Sequence, residues 1–193
     1  MAKVSSAREN MLSAASELFR ARGYEGIGIA QLLEKSGAPR GSLYFHFPGG
    51  KEQIGAEVIN AFAARTAARF RDLDESGVDL DTFIVSVFKT TARESKTCDF
   101  EGSCPIAAMA AGFGAEDKLL AAAIHDCFAA WEAAIHDAAH KRGMSVKNAA
   151  IFASAFLASM EGAFVLSKAQ RSTAPHINAS RAMQALAAAL LIT

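Results

Sequence analysis

Apolar positions recur along most of the chain at intervals of three and four, the spacing of one face of an α-helix. Met11, Leu12, Ala15, Leu18 and Phe19 mark a first helix over 7–22, with Ser5 or Ser6 as its cap and Gly23 as its stop. Gly26 and Gly28 break the pattern, and 29–36 forms a short second helix with Leu32 and Leu33 inward. Gly37 ends it where a turn needs positive φ. A third helix occupies 40–46. The fourth starts at Lys51, carries Ile54, Val58 and Phe62, and runs to about Leu73. After a polar connection at 74–79, the fifth covers 80–96 with Phe83, Val87 and Phe88 apolar. Pro105 opens a sixth, to about Ala111. A seventh, 116–141, presents Leu119, Leu120, Ile124, Phe128, Trp131 and Ile135. The eighth, 145–170, presents Phe152, Phe156, Met160, Phe164 and Leu166, and Pro175 opens a ninth at 176–192. No stretch alternates with period two, and no repeat of 20–50 residues is present. The expectation is an all-α protein of about nine helices, three small ones and then a bundle.

The stretch 39–51, PRGSLYFHFPGGK, lies between two helix breaks. Leu43 and Phe47, four apart, can anchor one face to a core. Arg40, Ser42, Tyr44, His46 and Lys51 supply hydrogen-bond donors around them. A short helix with one face for packing and another for donors reads as the second helix of a helix-turn-helix.

Composition narrows this further. Of 193 residues, 51% are hydrophobic, so a sizeable core is available, and the many alanines favour close-packed helices. Net charge is zero, which excludes a basic coat but not a basic face. The first 55 residues carry seven Lys/Arg against five Asp/Glu, a net of +2 on the side expected to meet phosphate. No secretory leader pattern and no uncharged apolar run of about 20 residues is visible, so a cytoplasmic protein outside the membrane is expected. Three cysteines without CxxC spacing, Cys98, Cys104 and Cys127, fit neither a disulfide framework nor a zinc site.

The pattern Leu18-Phe19, Gly23-Tyr24, Gly37 and GSLYFHF followed by Lys51-Glu52 resembles the TetR/AcrR family of bacterial transcriptional regulators. The resemblance implies that helices one to three bind DNA, helix four links, and helices five to nine bind an effector and dimerise. It thus divides the chain into a DNA-binding domain at 1–50 and a ligand-binding and dimerisation domain at 51–193. It implies a cytoplasmic, nucleoid-associated location in a bacterium and a repressor released from its operator by a small hydrophobic or aromatic ligand. The PGGKE ending and 102–110 are similar to a subgroup including regulators that answer flavonoids or lincomycin-type drugs. Two departures stand out. The family places Thr or Ser at the start of helix two, where this chain has Ile27-Gly28. PGGK is also one residue longer than the common PSK, which shifts Lys51.

Phosphate contacts position such a protein and base-edge contacts specify its site. Arg40 is assigned a bidentate contact to guanine, with Pro39 and Gly41 facing the groove. Ser42, Tyr44, His46 and Lys51 are assigned to phosphates, with Gln31 assisting. One such helix buries too little for tight binding, and two half-sites about one turn, ~34 Å, apart imply a homodimer on a palindromic duplex. Ala153, Ala163, Ala182, Ala185 and Ala189 on helices eight and nine are the expected interface, since small residues permit close approach.

For the effector, Phe62, Phe88, Met109, Phe113, Phe128, Trp131, Phe156, Met160 and Glu161 are the candidate lining, as a concave apolar site needs few polar groups. Most of the aromatics also suit a plain core. Glu161, on an apolar stretch, demands a partner: another helix's charge or the ligand. His136 and His140 share a face but lack a third ligand, so no metal and no cofactor are expected. A second reading is a thiol-based redox regulator using Cys98 and Cys104, which flank an acidic loop. No nucleophile–base pair or phosphate loop suggests an enzyme.

Overall fold

The computed structural model describes residues 2–102 and 104–192, with side chains from residue 7 onward. Among these residues there are nine α-helices and no strand. They are α1 (Ala2–Arg22), α2 (Ile29–Ser36), α3 (Arg40–His46), α4 (Gly50–Glu75), α5 (Leu80–Thr97), α6 (Pro105–Ala110), α7 (Lys118–Lys141), α8 (Val146–Gln170) and α9 (Ala174–Leu191). α2 and α3 fall where glycine and proline punctuation put them. α1 starts earlier than the apolar pattern indicated, because a polar first turn can be helical without contributing to a packing stripe. Ser5 and Ser6 are therefore not its cap, and their side chains lie outside those described.

The chain folds into two compact units. The first comprises residues 1–62 and 104–127, the second 63–103 and 128–193. The sequence-based boundary at residue 50 thus differs from the division by compactness. The α4 positions Ile54, Val58 and Ile59 are buried, and α6 returns to pack on α1. α4 and α7 each begin in the first unit and end in the second.

In the first unit α1 packs on α2, α3 and α6. Met11, Ala15 and Phe19 of α1 are fully buried, as are Leu43 and Phe47 around α3. Gly23, at φ 72, ends α1 where a Cβ would stand 3.1 Å from the Ala108 carbonyl, so positive φ and close approach both demand glycine.

In the second unit α9 packs on α5 and α8. Asp79 caps α5 by accepting from Thr82 N at 2.7 Å, and Ser145 caps α8 by accepting from Asn148 N at 3.2 Å. α8 is apolar on nearly every side. By length and composition it could cross a membrane, despite Glu161, a property the search for uncharged runs missed. Phe152, Phe156, Met160 and Phe164 are buried, while Ile151, Val165 and Leu166 are exposed. Leu166 and, on α7, Leu119, both counted in the apolar pattern, face out. A helix apolar all round carries no periodic signal to say which side packs.

Candidate nucleic-acid interface

The α2–turn–α3 unit is set by three local features. Gly37, at φ 64, closes α2 in the left-handed region, its N–H donating to the Glu34 carbonyl. Pro39 caps α3 in extended geometry. Leu32 and Leu33 of α2 and Leu43 of α3 turn inward. Between the helices lies an open depression of about 540 Å³, lined by residues including Ile29, Glu34, Gly37, Arg40 and Tyr44.

The outward face of α3 presents Arg40, Gly41, Tyr44 and Phe45, with Pro39 at its entry. Phe45 is 75% exposed and Tyr44 58%. Sequence reasoning passed over Phe45. The signal was available: Leu43 and Phe47 define the packing stripe, and an aromatic two residues before Phe47 cannot share it. His46 is half-buried, its ring 5.1 Å from Phe45 and 6.4 Å from Phe47.

Two expected phosphate donors are already engaged. The Ser42 hydroxyl donates to the Pro39 carbonyl at 2.7 Å, closing the first turn of α3. Lys51 lies with its ammonium 4.0 Å from the centre of the Tyr24 ring. Burial holds its pKa below the usual lysine value, against the opposing charges of Asp117 and Glu25. The Tyr24 hydroxyl donates to Asp117 Oδ1 at 3.1 Å. Burial first, and then this bond to an anion, push the phenol pKa up.

Gln31 has a role the sequence did not reveal. Its Oε1 accepts from Gly28 N at 3.1 Å, capping α2 from within in place of a side-chain hydroxyl at residue 28.

The end of α3 is braced from both sides. The Arg8 guanidinium lies over the Phe47 ring, its central carbon 5.0 Å from the ring centre, and pairs with Glu57 of α4. Gln53 accepts from Gly49 N at 2.9 Å and donates to Glu57 at 3.1 Å. Arg8, Gln53 and Glu57 thereby fix the turn between α3 and α4.

The effector candidates divide between the units. Phe62, Met109 and Phe113 belong to the first, Met109 fully buried and the other two half-buried. Phe88, Phe128, Trp131, Phe156, Met160 and Glu161 belong to the second. There the rings pack on one another: Phe88 lies 5.0 Å from Phe156 and Phe128 6.0 Å from Trp131, and Phe70 and Phe83 extend the chain. The carboxylate oxygens of Glu161 are shielded from water.

Of the expected interface alanines, Ala182, Ala185 and Ala189 are exposed on α9. Ala153 and Ala163 are buried inside the protomer, at 0% and 2%, and have no surface to offer a partner. Among the described residues no cluster suited to a metal is present. Cys104 is buried, and the half-buried Cys98 thiol donates to the Ser95 carbonyl at 3.3 Å, so neither thiol is freely presented. The redox reading is not favoured.

A short helix packed by two residues and exposing an arginine and two aromatics, behind a tight turn, defines a helix-turn-helix transcriptional regulator. Residues 11–58 match the model of the tetR family of bacterial regulatory proteins, and 82–182 match that of the LmrA/YxaF-like transcriptional regulator C-terminal domain. The chain belongs to the TetR family. It is 33% identical over 174 residues to the HTH-type transcriptional regulator LmrA of Bacillus subtilis, covering 90% of this chain and 92% of that one. YxaF from the same organism is 27% identical over 170 residues, covering 87% and 88%. Among solved structures, a TetR transcriptional regulator from Legionella pneumophila superposes with TM-score 0.83 at 17% identity, covering 91% and 94%. The reduced form of E. coli NemR superposes at 0.75 and 22%, covering 93% and 96%. These two similarities concern the fold.

Proposed function

We propose that this TetR-family repressor binds a palindromic operator as a homodimer and leaves it when a small apolar or aromatic effector occupies the C-terminal helices. The observation that carries the reading is the division of α3: Leu43 and Phe47 fully buried, Arg40, Gly41, Tyr44 and Phe45 exposed. Residues 1–50 read DNA, and 51–193 bind effector and partner. Arg40 pairs with a guanine edge, and Gly41 and Pro39 let the backbone approach. Phe45 meets a thymine methyl or the sugar wall. Tyr44, His46 and the free amide of Gln31 take phosphates, and Lys51 joins them when released from Tyr24.

The dimer forms through the outer faces of α8 and α9. Ala182, Ala185 and Ala189 repeat at three and four residues, and the stripe ends on Ile192, which is 86% exposed. Ile151, Ser154, Ala158 and Val165 form the matching stripe on α8. Two such helices from each copy make a four-helix bundle. The working compartment is the cytoplasm, where the operator is. Regulation rather than catalysis is the activity of the family.

Effector and operator are linked: a ligand that weakens DNA binding must itself bind less tightly to the DNA complex by the same factor. The reading is tested by selecting duplexes from a random pool and measuring affinity at several salt concentrations. An enriched palindrome with half-sites about one turn apart, and a steep salt slope, is expected. Folded protein that enriches no duplex would sink it.

A further inference from the structure

The Lys51 ammonium rests on the Tyr24 ring, and at the preceding residue, Gly50, a Cβ would stand 3.6 Å from the ring edge of Tyr44 on α3. Tyr24 is tied to Asp117, and Asp117 also accepts from Gly114 N at 2.9 Å, in the turn that leads into α7. The neighbouring residue on α4, Glu52, caps α7: its Oε1 accepts from Leu119 N at 2.6 Å and Leu120 N at 3.4 Å. Gly55, one turn on, is so closely covered that a Cβ would meet Met109, Tyr24 and Leu120 at 3.2, 3.2 and 3.3 Å. The start of α4 and the start of α7 are thus locked through Tyr24, and α7 continues unbroken to Lys141.

We infer that Tyr24 and Asp117 are positioning residues for Lys51: they hold its ammonium in a latch, and the placement of the first turn of α7 sets how readily it passes to a DNA phosphate. The inference rests on the DNA-binding reading above and adds the control of one phosphate donor. A lysine over a ring at a part-exposed site is held weakly, and a phosphate offers a charge-assisted hydrogen bond instead. Asp117 biases that competition twice, by orienting Tyr24 and by placing negative charge near the ammonium. A displacement of α7 that carries Asp117 away frees Lys51, and one that seats it more firmly withdraws Lys51 from the duplex.

The test is a double-mutant cycle on the full chain with the duplex selected by the wild type. Asp117→Asn is expected to tighten binding roughly 3- to 10-fold and to steepen the salt slope by up to about 0.9, the share of one phosphate contact. Lys51→Gln is expected to weaken binding and flatten the slope, and in its background Asp117→Asn should bring no gain. Tyr24→Phe keeps the ring under Lys51 but drops the hydroxyl to Asp117, and should give a smaller gain of the same kind. It carries the test if thermal melting shows Asp117→Asn unfolded. Wild-type affinity and slope in both Asp117→Asn and Tyr24→Phe would overturn the latch, as would a gain that survives Lys51→Gln, which would be general charge repulsion. Either leaves the DNA-binding reading standing, whereas a wild type that selects no duplex removes both.

Discussion

Nε2 of His176 on α9 lies 2.9 Å from the Ser95 hydroxyl of α5, with the imidazole fully buried. On the other side Nδ1 is 3.0 Å from Thr91 Oγ1, whose proton already goes to the Phe88 carbonyl. Both ring nitrogens of the neutral imidazole thus have a hydroxyl partner, one side donating and the other accepting. Phe164 closes the ring edge-on at 4.9 Å. Burial lowers the His176 pKa from 6.5 to about 4. The folded protein then refuses a proton that the unfolded chain takes. Stability from this group is complete above pH 6.5, falls as pH drops toward 4, and levels off below it. The loss should be about 3 kcal/mol across that window. Urea unfolding at pH 7, 5.5 and 4.5 will show it. His176→Gln should be less stable at pH 7 yet lose less stability on acidification. An unchanged pH dependence in that variant would refute the assignment.

Gly28 stands where a hydroxyl would cap α2. Its backbone, at φ −93 and ψ 161, suits any residue, and a Cβ there would meet nothing within 4 Å. Gly28→Ser should therefore stabilise the fold by about 0.5–1 kcal/mol, through a better cap and a less flexible unfolded chain. Residue 28 is exposed at the start of α2, so the added hydroxyl blocks nothing and operator affinity should hold or rise. Thermal melting and duplex binding check the two effects separately.

The helix order was legible because glycine and proline stand at the ends of nearly every element. Gly23, Gly37, Pro105, Gly143 and Pro175 mark boundaries by removing options from the backbone, a local effect. Side-chain use was legible only where one face was plainly apolar, as for Leu43 and Phe47. On α8 no face is polar enough to exclude burial, and Ala153 looked like an interface residue while serving the core. The fate of Lys51 depends on Tyr24 and, through it, on Asp117, 66 positions further along. No local pattern encodes such a partnership. Gln31 shows the same limit at short range: its type suited a phosphate contact, while its register suited a cap.

Phe45 and Phe47 are two residues apart and should respond oppositely. Phe47 is fully buried beneath Arg8, and Phe47→Ala should cost about 3–5 kcal/mol of stability. Phe45→Ala removes an exposed ring, so melting should shift little while operator affinity falls at least several-fold. Arg40→Ala should also leave the fold intact. It should cost about 1–3 kcal/mol on the selected operator and relax preference at one base pair of each half-site. Repeating the duplex selection with Arg40→Ala reads that position directly. Unchanged preference at every position would remove Arg40 from base reading.

The proposed dimer makes the sharpest demand on α8. Val165 is 57% exposed and lies on the stripe with Ile151, Ser154 and Ala158. In an isolated protomer Val165→Asp should change stability by no more than about 0.5 kcal/mol, since an exposed side chain makes few contacts. In a four-helix bundle the two-fold axis pairs the outer faces of equivalent helices, so the substitution buries two carboxylates without partners, at several kcal/mol. Sedimentation should then show a monomer, still folded by circular dichroism. Operator affinity should collapse toward that of one half-site, because the second reading helix is no longer delivered at the spacing of one DNA turn. A Val165→Asp protein that stays dimeric and holds its operator would move the interface off this face of α8.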